Sequence, residues 1–171
     1  MGFFDFLKKS AAPAAPAEPT FPMMLAADAK GAFVPMENIP DEVFAQGILG
    51  TCCGIDPSEG KVFAPAGGEI TQAPGSGHAL GIMADGGVEI LTHVGVDTVE
   101  MKGDGFSPKV KVGDKVKKGD LLLEMDLGKI AAAGHPAVVI TVVTNTDDFK
   151  AVEVVASGDV EPGADLIKVS K

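Results

Sequence analysis

Two histidines lie on either side of a predicted β-hairpin turn near the middle of the chain. Short apolar runs precede and follow Asp85-Gly86, and Asp-Gly between such runs indicates a hairpin because a tight turn needs positive φ at its centre. If these two residues form the turn, facing residues have numbers that sum to 171, and His78 lies opposite His93. Their Cβ atoms would then be about 5 Å apart. A three-residue turn would shift the pairing by one position and make the two rings diagonal neighbours.

A pair of neutral imidazoles supports three kinds of chemistry. The rings can bind a metal, shuttle a proton, or divide the work so that one is a nucleophile and the other stabilises the product. Gly95 follows His93 closely and allows a backbone or a partner to approach. Asp97 brings a carboxylate near the ring pair. The residue types alone leave the three chemistries open.

The segment that contains His93, EILTHVGVDTVEMKGDGF, resembles the active-site segment of glucose-type enzyme IIA of the bacterial phosphoenolpyruvate:sugar phosphotransferase system. Three upstream segments resemble the same family in the same order, namely PDEVFAQGILG, GIDPSEGKVFAPAGGEI and SGHAL. The resemblance runs from about Gly31 to the end of the chain. The HxGxDTVE run is specific, whereas the GKVxAPxxGxI run is shared with other barrel-type domains.

This resemblance implies a phosphocarrier that acts by histidine phosphoryl transfer. His93 would accept a phosphoryl group from HPr and pass it to a cysteine of a sugar-specific IIB domain or IICB permease. His78 would stabilise the phosphate, with Ser76, Asp97 and Gly95 in support. The resemblance implies no cofactor, although His78 and His93 could bind zinc if a partner lends a carboxylate. It also implies that the unphosphorylated form can bind regulated transporters or metabolic enzymes.

The same interpretation predicts the surroundings of the acceptor ring. We expect Nε2 of His93 to be the nucleophile, with Nδ1–H held by a nearby backbone carbonyl. An apolar rim would protect the phosphohistidine from water. The candidates for that rim are Leu91, Val94, Val96 and Ile82.

Two alternatives remain open from the residues. In a LytM-like zinc hydrolase on a related barrel, His78, His93 and Asp97 would be three ligands with water as the fourth, but the sequence has no HxH pair and no secretory signal. A non-enzymatic carrier or binding domain would need a modifiable lysine at a hairpin tip, and the surroundings of Lys102 match that pattern only in part.

Composition indicates which classes of partner and which cellular compartment to expect. The chain has 171 residues, of which 46% are hydrophobic, and a net charge of −10. Nucleic-acid binding usually needs a basic face, so none is expected, whereas the negative charge favours partners with basic patches. The cysteines, Cys52 and Cys53, are adjacent, which does not suit a disulfide between them, and buried free thiols are expected. The absence of a signal peptide or a membrane-spanning run predicts a cytoplasmic protein.

Three segments are predicted along the chain. Residues 1–10 combine Phe3, Phe4, Phe6 and Leu7 with two lysines, which indicates a short amphipathic segment on an anionic membrane surface. Residues 11–22 form an Ala/Pro linker that favours an extended tether. Residues 23–171 form the IIA phosphocarrier domain.

The domain is predicted to be all-β, a mostly antiparallel β-sandwich of the barrel-sandwich hybrid type with a duplicated hybrid motif. Short apolar segments broken by Gly, Pro, Asp and Asn have the rhythm of such folds. Strands are expected at residues 32–34, 61–63, 69–71, 109–112, 121–125, 138–144 and 152–156. Residues 109–125 are predicted to pair two strands around Gly-Asp turns. One or two helical turns are expected, at residues 40–45 with Asp41 as cap and at residues 126–134.

Overall fold

A computed structural model describes residues 19–171, so the predicted segment 1–10 and most of the predicted linker lie outside the described residues. Among residues 19–171, the two short α-helices are α1 (Glu42–Ala45) and α2 (Leu127–Ala132). The strands are β1 (Met23–Ala26), β2 (Gly31–Val34), β3 (Thr51–Pro57), β4 (Lys61–Phe63), β5 (Gly68–Gln72), β6 (Ala79–Ala84), β7 (Glu89–Val94), β8 (Phe106–Pro108), β9 (Lys115–Val116), β10 (Leu121–Met125), β11 (Val139–Val143), β12 (Ala151–Val154), β13 (Asp159–Val160) and β14 (Asp165–Ser170). The all-β prediction with short helical turns is confirmed.

Strand order reveals a duplication. The large sheet has the antiparallel order β13-β2-β3-β11-β7-β6-β5-β9, and two three-stranded sheets have the orders β1-β14-β12 and β4-β10-β8. Read outward from the central β11–β7 pair, the two sides of the large sheet match strand for strand, and each has its own three-stranded sheet. The duplicated hybrid motif expected from the sequence is therefore present in the topology.

Backbone hydrogen bonds between the two halves follow the same duplication. The amide of Ala26 donates to the carbonyl of Pro65 over 2.9 Å, and the amide of Phe63 donates to the carbonyl of Asp28 over 2.8 Å. Each half thus reaches into the loop after the first strand of the other. Gly31 and Gly68 occupy matching positions, where a Cβ would meet the carbonyl oxygens of Asp56 and Met83 respectively.

Alternation along the strands places two apolar clusters on opposite faces of the large sheet. In β7, Ile90, Thr92 and Val94 point inward and are buried, while Leu91 and His93 face outward and are half-buried. Side chains on neighbouring strand positions point to opposite faces, which explains this pattern. The main core lies between the sheets, and its largest fully buried residues include Leu25, Ile55, Ile70, Leu80, Ile82, Leu122, Leu123, Ile130, Leu166 and Ile167.

A smaller outer cluster covers the other face near the middle of the large sheet. Its buried members are Ile39, Phe44, Cys52, Val96, Val138, Ile140 and Val142. Helix α1 contributes Phe44 to this cluster, and α1 begins after Asp41, whose side chain accepts a hydrogen bond from the amide of Val43 over 2.9 Å. The predicted helical turn and its cap are confirmed.

One predicted strand is wrong. Residues 109–112 are not a strand, because the carboxylate of Asp114 accepts a hydrogen bond from the amide of Lys111 over 2.9 Å and closes a turn there. The predicted pairing within residues 109–125 is also wrong, since β9 pairs with β5 while β10 pairs with β4 and β8. The alternating KVKV sequence is typical of a strand. The Asp114 carboxylate forms a local hydrogen bond with the backbone here in place of pairing with a neighbouring strand.

The packed part of the chain begins before β1. Phe21, which the sequence assigns to the linker, packs on the core and stacks with Phe149 at a centroid distance of 6.0 Å. The proposed division into three segments otherwise stays a prediction.

Cys52 and Cys53 are free and buried, as expected. Within residues 19–171, no helix is both long enough and apolar enough to cross a membrane.

Candidate active site

The β6–β7 hairpin brings the two histidines together in a register that differs from the two-residue turn. Paired residues have numbers that sum to 172, as in Ala79 with His93 and Ile82 with Ile90. The amide of Ala84 donates to the carbonyl of Val88 over 2.8 Å, so the turn has three residues. The expected sum of 171 is wrong by one, and the three-residue alternative is confirmed.

The His78 ring lies beside the His93 ring because strand β6 does not extend to His78. A regular strand would place its side chain on the inner face with Val94, to whose amide the carbonyl of His78 is hydrogen-bonded over 2.7 Å. Instead the chain bends at His78 just after Gly77, which has φ 69°. The imidazoles of His78 and His93 lie edge to face, with centroids 5.2 Å apart and planes at 82°.

Ser76 contacts the outer side of His78. Its Oγ is 2.6 Å from Nδ1 of His78. If the hydroxyl donates, Nδ1 is the acceptor and the proton of the neutral ring is on Nε2. The predicted supporting residue is therefore hydrogen-bonded to the predicted supporting histidine.

Burial keeps both rings neutral at pH 7. Desolvation lowers the pKa of His78 below its usual value. Desolvation also lowers the pKa of His93, and the neighbouring His78 lowers it further. The backbone of Gly95 and the carboxylates of Asp41 and Asp97 act in the opposite direction and raise the pKa of His93 in part. A neutral imidazole retains the lone pair that a nucleophile needs.

The expected bond from Nδ1 of His93 to a backbone carbonyl is not formed with hydrogen-bonding geometry. Nδ1 is buried and has no partner among residues 19–171. The Gly95 backbone still acts on the ring, since it raises the pKa of His93. An unpaired buried ring nitrogen is unfavourable, so this ring depends on its packing for its orientation.

Gly95 directs the chain away from the histidine. Its φ is 79°, and a Cβ there would lie 2.8 Å from the carbonyl oxygen of Pro136 and would also meet Thr98. The predicted close approach of a backbone at Gly95 is observed. Asp97 follows with φ 60° at the start of a 3₁₀ turn (Thr98–Met101), is exposed and makes no capping hydrogen bond.

Two of the four candidates for the apolar rim are wrong, since Ile82 and Val94 are buried in the main core. Val96 is buried in the outer cluster, and Leu91 packs against that cluster and is half-buried. The register shift places Ile82 on the inner face. Val94 directly follows His93 in β7 and therefore points to the opposite face in any register. Besides His78, the aromatic ring of Phe44 lies against the His93 ring, at a centroid distance of 5.1 Å.

Phe44 and Asp41 were missed as site residues, since α1 is far from His93 in sequence. The exposed apolar side chains around this helix and the 3₁₀ turn are Val43, Ile48 and Val99, with 42%, 65% and 53% of their surface accessible. Exposed apolar side chains therefore lie on or near the two elements that flank His93, and the carboxylates of Asp41 and Asp97 act on its ring. The one available signal was the capped PDEVF turn itself.

The two alternative functions fit the geometry poorly. No group of three or more His, Cys, Asp or Glu side chains in the described part of the chain is arranged to hold a metal ion, so His78, His93 and Asp97 do not form a hydrolase site. Lys102 ends the 3₁₀ turn with φ 53° and is not at the tip of a hairpin. A carrier lysine would need such a tip.

Comparisons with known proteins identify the family of this chain. The family model described as phosphoenolpyruvate-dependent sugar phosphotransferase system, EIIA 1, matches residues 23–149. The PTS system glucose-specific EIIA component of Halalkalibacterium halodurans is 41% identical over 140 residues, which are 82% of this chain and 81% of that protein. The PTS system beta-glucoside-specific EIIBCA component of Dickeya chrysanthemi is 42% identical over 134 residues, which are 78% of this chain.

The chain spans 21% of the Dickeya protein. Among solved structures, glucose permease IIA from Mycoplasma capricolum matches with a TM-score of 0.78 and 32% identity, covering 87% of this chain and 96% of that one. A phosphocarrier of a sugar phosphotransferase system is the class that these matches define. Within that class the chain belongs to the EIIA 1 family, and it is of the glucose type, as the sequence resemblance indicated.

Proposed function

We propose that His93 is the phosphoryl acceptor of this phosphocarrier and that HPr is its donor. The P–N bond of the HPr phosphohistidine breaks as a new P–N bond forms to Nε2 of His93. In the second step a cysteine thiolate of a IIB domain attacks, the P–N bond to His93 breaks and a P–S bond forms. The edge-to-face contact between the His93 and His78 rings, at 5.2 Å, is the observation that carries this proposal.

His78 and Ser76 divide the supporting work. Ser76 Oγ lies 2.6 Å from Nδ1 of His78. In this proposal the hydroxyl donates to Nδ1, which keeps the ring proton on Nε2. That N–H donates to an oxygen of the phosphoryl group on His93. A charge-assisted hydrogen bond of this kind is stronger than one between neutral groups, which favours the phosphorylated state without a metal.

The surface around the ring pair suits the two partners. Exposed Val43, Ile48 and Val99 offer apolar contact area, while the net charge of −10 favours encounter with basic partners. Two relatives are named EIIBCA and EIICBA components. Those names support B and C components as the partners that receive the phosphoryl group.

The remaining predictions concern zinc, regulation and location. His78 and His93 would supply two nitrogen ligands to zinc, and a partner carboxylate would supply the third. Binding of regulated transporters or metabolic enzymes, a cytoplasmic location, and contact of residues 1–10 with an anionic membrane stay predictions.

The first test is phosphorylation of the purified protein with phosphoenolpyruvate, enzyme I and HPr, followed by mapping of the labelled residue. The expected product is acid-labile, stable in base and located on His93. His93→Gln should accept no phosphate, since it removes the nucleophile. Label on His78 or on His135 would contradict the assignment of the acceptor.

His78→Gln separates acceptance from donation. We expect this variant to accept phosphate from HPr but to fail in transfer to a IIB domain, because the ring that stabilises the phosphoryl group for the second step is lost. Both steps are measured with the same protein preparation, and His135→Gln is the matched control because it replaces the remaining imidazole. Equal loss in both steps for His78→Gln would overturn the division of roles.

A further inference from the structure

The two halves of the duplicated fold meet at a seam, which is the β7–β11 strand pair at the centre of the large sheet. Thr92 of β7 and Thr141 of β11 face each other directly across this seam. Both are buried at 1% accessibility on the inner face. Hydroxyls at such positions need hydrogen-bond partners.

Asp28 provides the partner for both hydroxyls. It lies in the loop between β1 and β2 and is completely buried. Its Oδ2 accepts from Oγ1 of Thr141 over 2.6 Å and from Oγ1 of Thr92 over 3.3 Å. One carboxyl group therefore connects the two central strands to a loop of one half.

The internal repeat shows that this arrangement is one-sided. Residues 27–31 read ADAKG and residues 64–68 read APAGG, so Pro65 matches Asp28. The reciprocal backbone bonds of these two residues confirm the match. A proline has no side-chain acceptor. The carboxyl group is thus present in one half only, where it joins both halves at the seam.

Ionisation of the Asp28 carboxyl group is unfavourable in this buried position. Its Oδ1 is buried and has no partner among residues 19–171. Burial raises the pKa of Asp28 to about 6, while the hydrogen bonds from Thr141 and Thr92 lower it in part. The titratable group that faces it is the Cys53 thiol of β3, whose pKa is raised by burial first and then by Asp28. The central strands β7 and β11 present the two threonine hydroxyls.

The hydrogen bonds from Thr92 and Thr141 to Asp28 lie on the opposite face of the large sheet from the His93 side chain. Thr92 precedes His93 in β7, and the two side chains point to opposite faces of the same strand. His93 itself pairs with Ile140, the residue before Thr141. A change in how β7 lies against β11 at the threonine pair must therefore move the backbone that carries the ring.

We propose that Asp28 is a positioning residue for His93, whose carboxyl group clasps Thr92 to Thr141 across the seam and relaxes that clasp when it loses its proton. The inference rests on the proposed function, since positioning is defined relative to the phosphoryl acceptor. Neutral Asp28 keeps an acceptor oxygen for both hydroxyls and avoids a buried charge. In the ionised group the cost of desolvation exceeds the gain from the two hydroxyl bonds, so ionisation favours an opened seam in which solvent reaches Oδ1.

The test compares Asp28→Asn with the unaltered chain. Asparagine keeps an acceptor oxygen for the hydroxyls but carries no charge at any pH. Rates of phosphate acceptance from the same phosphorylated HPr are measured from about pH 5 to about pH 8. We expect equal rates at the acidic end and a several-fold faster variant at the basic end. A ratio of the two rates that stays constant over this range would overturn the proposal.

Nuclear magnetic resonance supplies a readout that needs no phosphorylation. The Asp28 carboxyl carbon and the His93 ring protons should share a transition near pH 6, the pKa that burial gives Asp28, and Asp28→Asn should lose it from the His93 ring. Thr141→Val should shift this transition to higher pH, because it removes a hydrogen bond that lowers the pKa of Asp28. A His93 ring that titrates identically in all three proteins would refute the clasp.

Ile167→Val is the matched control, since Ile167 is fully buried on β14, outside the large sheet. It should lower stability modestly and leave both pH profiles unchanged. If Ile167→Val reproduces the profile of Asp28→Asn, the effect is general stability and the proposal fails. If HPr phosphorylates none of these proteins, the proposed function fails, and the resonance measurements still decide on the clasp.

Discussion

At the scale of single residues, the site depends on the environment of two imidazoles. Desolvation lowers the pKa of both His78 and His93, so each ring is neutral at pH 7, and the two rings differ in their hydrogen-bond partners. His78 has Ser76 on Nδ1, whereas Nδ1 of His93 has no partner within residues 19–171. Under the proposed function, this asymmetry suits His78 as the hydrogen-bond donor and His93 as the nucleophile.

Ser76→Ala tests that asymmetry. Loss of the hydroxyl should release the tautomer of His78 and slow phosphoryl donation by about fivefold, which corresponds to one net hydrogen bond of about 1 kcal/mol. Nitrogen chemical shifts of the His78 ring would show a mixture of tautomers. Ser76→Thr keeps the hydroxyl and should restore both the rate and the single tautomer. Unchanged nitrogen shifts in Ser76→Ala would show that the 2.6 Å contact does not set the tautomer.

At the scale of elements, backbone conformation decides where the rings point. The three-residue turn sets the β6–β7 register, and the bend after Gly77 brings His78 beside His93. On the other side, Gly95 lets the chain pass close to the carbonyl of Pro136. Its own amide donates to the carbonyl of Val138 over 2.7 Å, which ties the end of β7 to the segment that leads into β11.

Gly95→Ala should disturb both stability and the site. The new Cβ would clash with Thr98 and the Pro136 carbonyl at a φ of 79°, and we expect a loss of about 2–4 kcal/mol in the free energy of unfolding. Gly87→Ala is the matched control, since Gly87 has φ 87° with nothing within 4 Å of a Cβ. That control should lose only about 1 kcal/mol. Denaturant unfolding of both variants measures the difference, and equal losses would contradict the close approach at Gly95.

At the scale of the whole molecule, the duplicated fold encloses one main core with an acid at its centre. Most members of this core are apolar, and each large buried side chain contributes about 1.5–3 kcal/mol. Asp28 is the charged group among the buried residues of the described part of the chain, and its burial raises its pKa from 3.8 to about 6. A group whose pKa is raised on folding binds protons more tightly in the folded state, so its contribution to stability is present at low pH and is lost as pH rises.

The stability difference between the unaltered chain and Asp28→Asn should therefore depend on pH. Relative to the variant, the unaltered chain should lose about 3 kcal/mol between about pH 4 and about pH 7, which follows from a shift of about two pKa units. The other titrating groups are common to both proteins and cancel in the difference. Urea unfolding at a series of pH values measures it, and a difference independent of pH would contradict the buried ionisation of Asp28.

Much of the site follows from local sequence. The Asp-Gly signal locates the hairpin, the alternation of apolar residues predicts most strands, and PDEVF predicts a capped helical turn. The HxGxDTVE run indicates the family, with His93 at its first position. These features depend on residues a few positions apart, whose conformational preferences act within one element.

The tertiary structure decided which faces and partners these elements have. A shift of one residue in the hairpin register reassigned Ile82 from the rim to the core, since it pairs Ile82 with inward-facing Ile90. Phe44 reaches His93 only through packing of α1 on the large sheet. Asp28 meets Thr92 and Thr141 across 64 and 113 residues of chain. Contacts over such distances arise when the two halves pack together, and local preference carries no information about them.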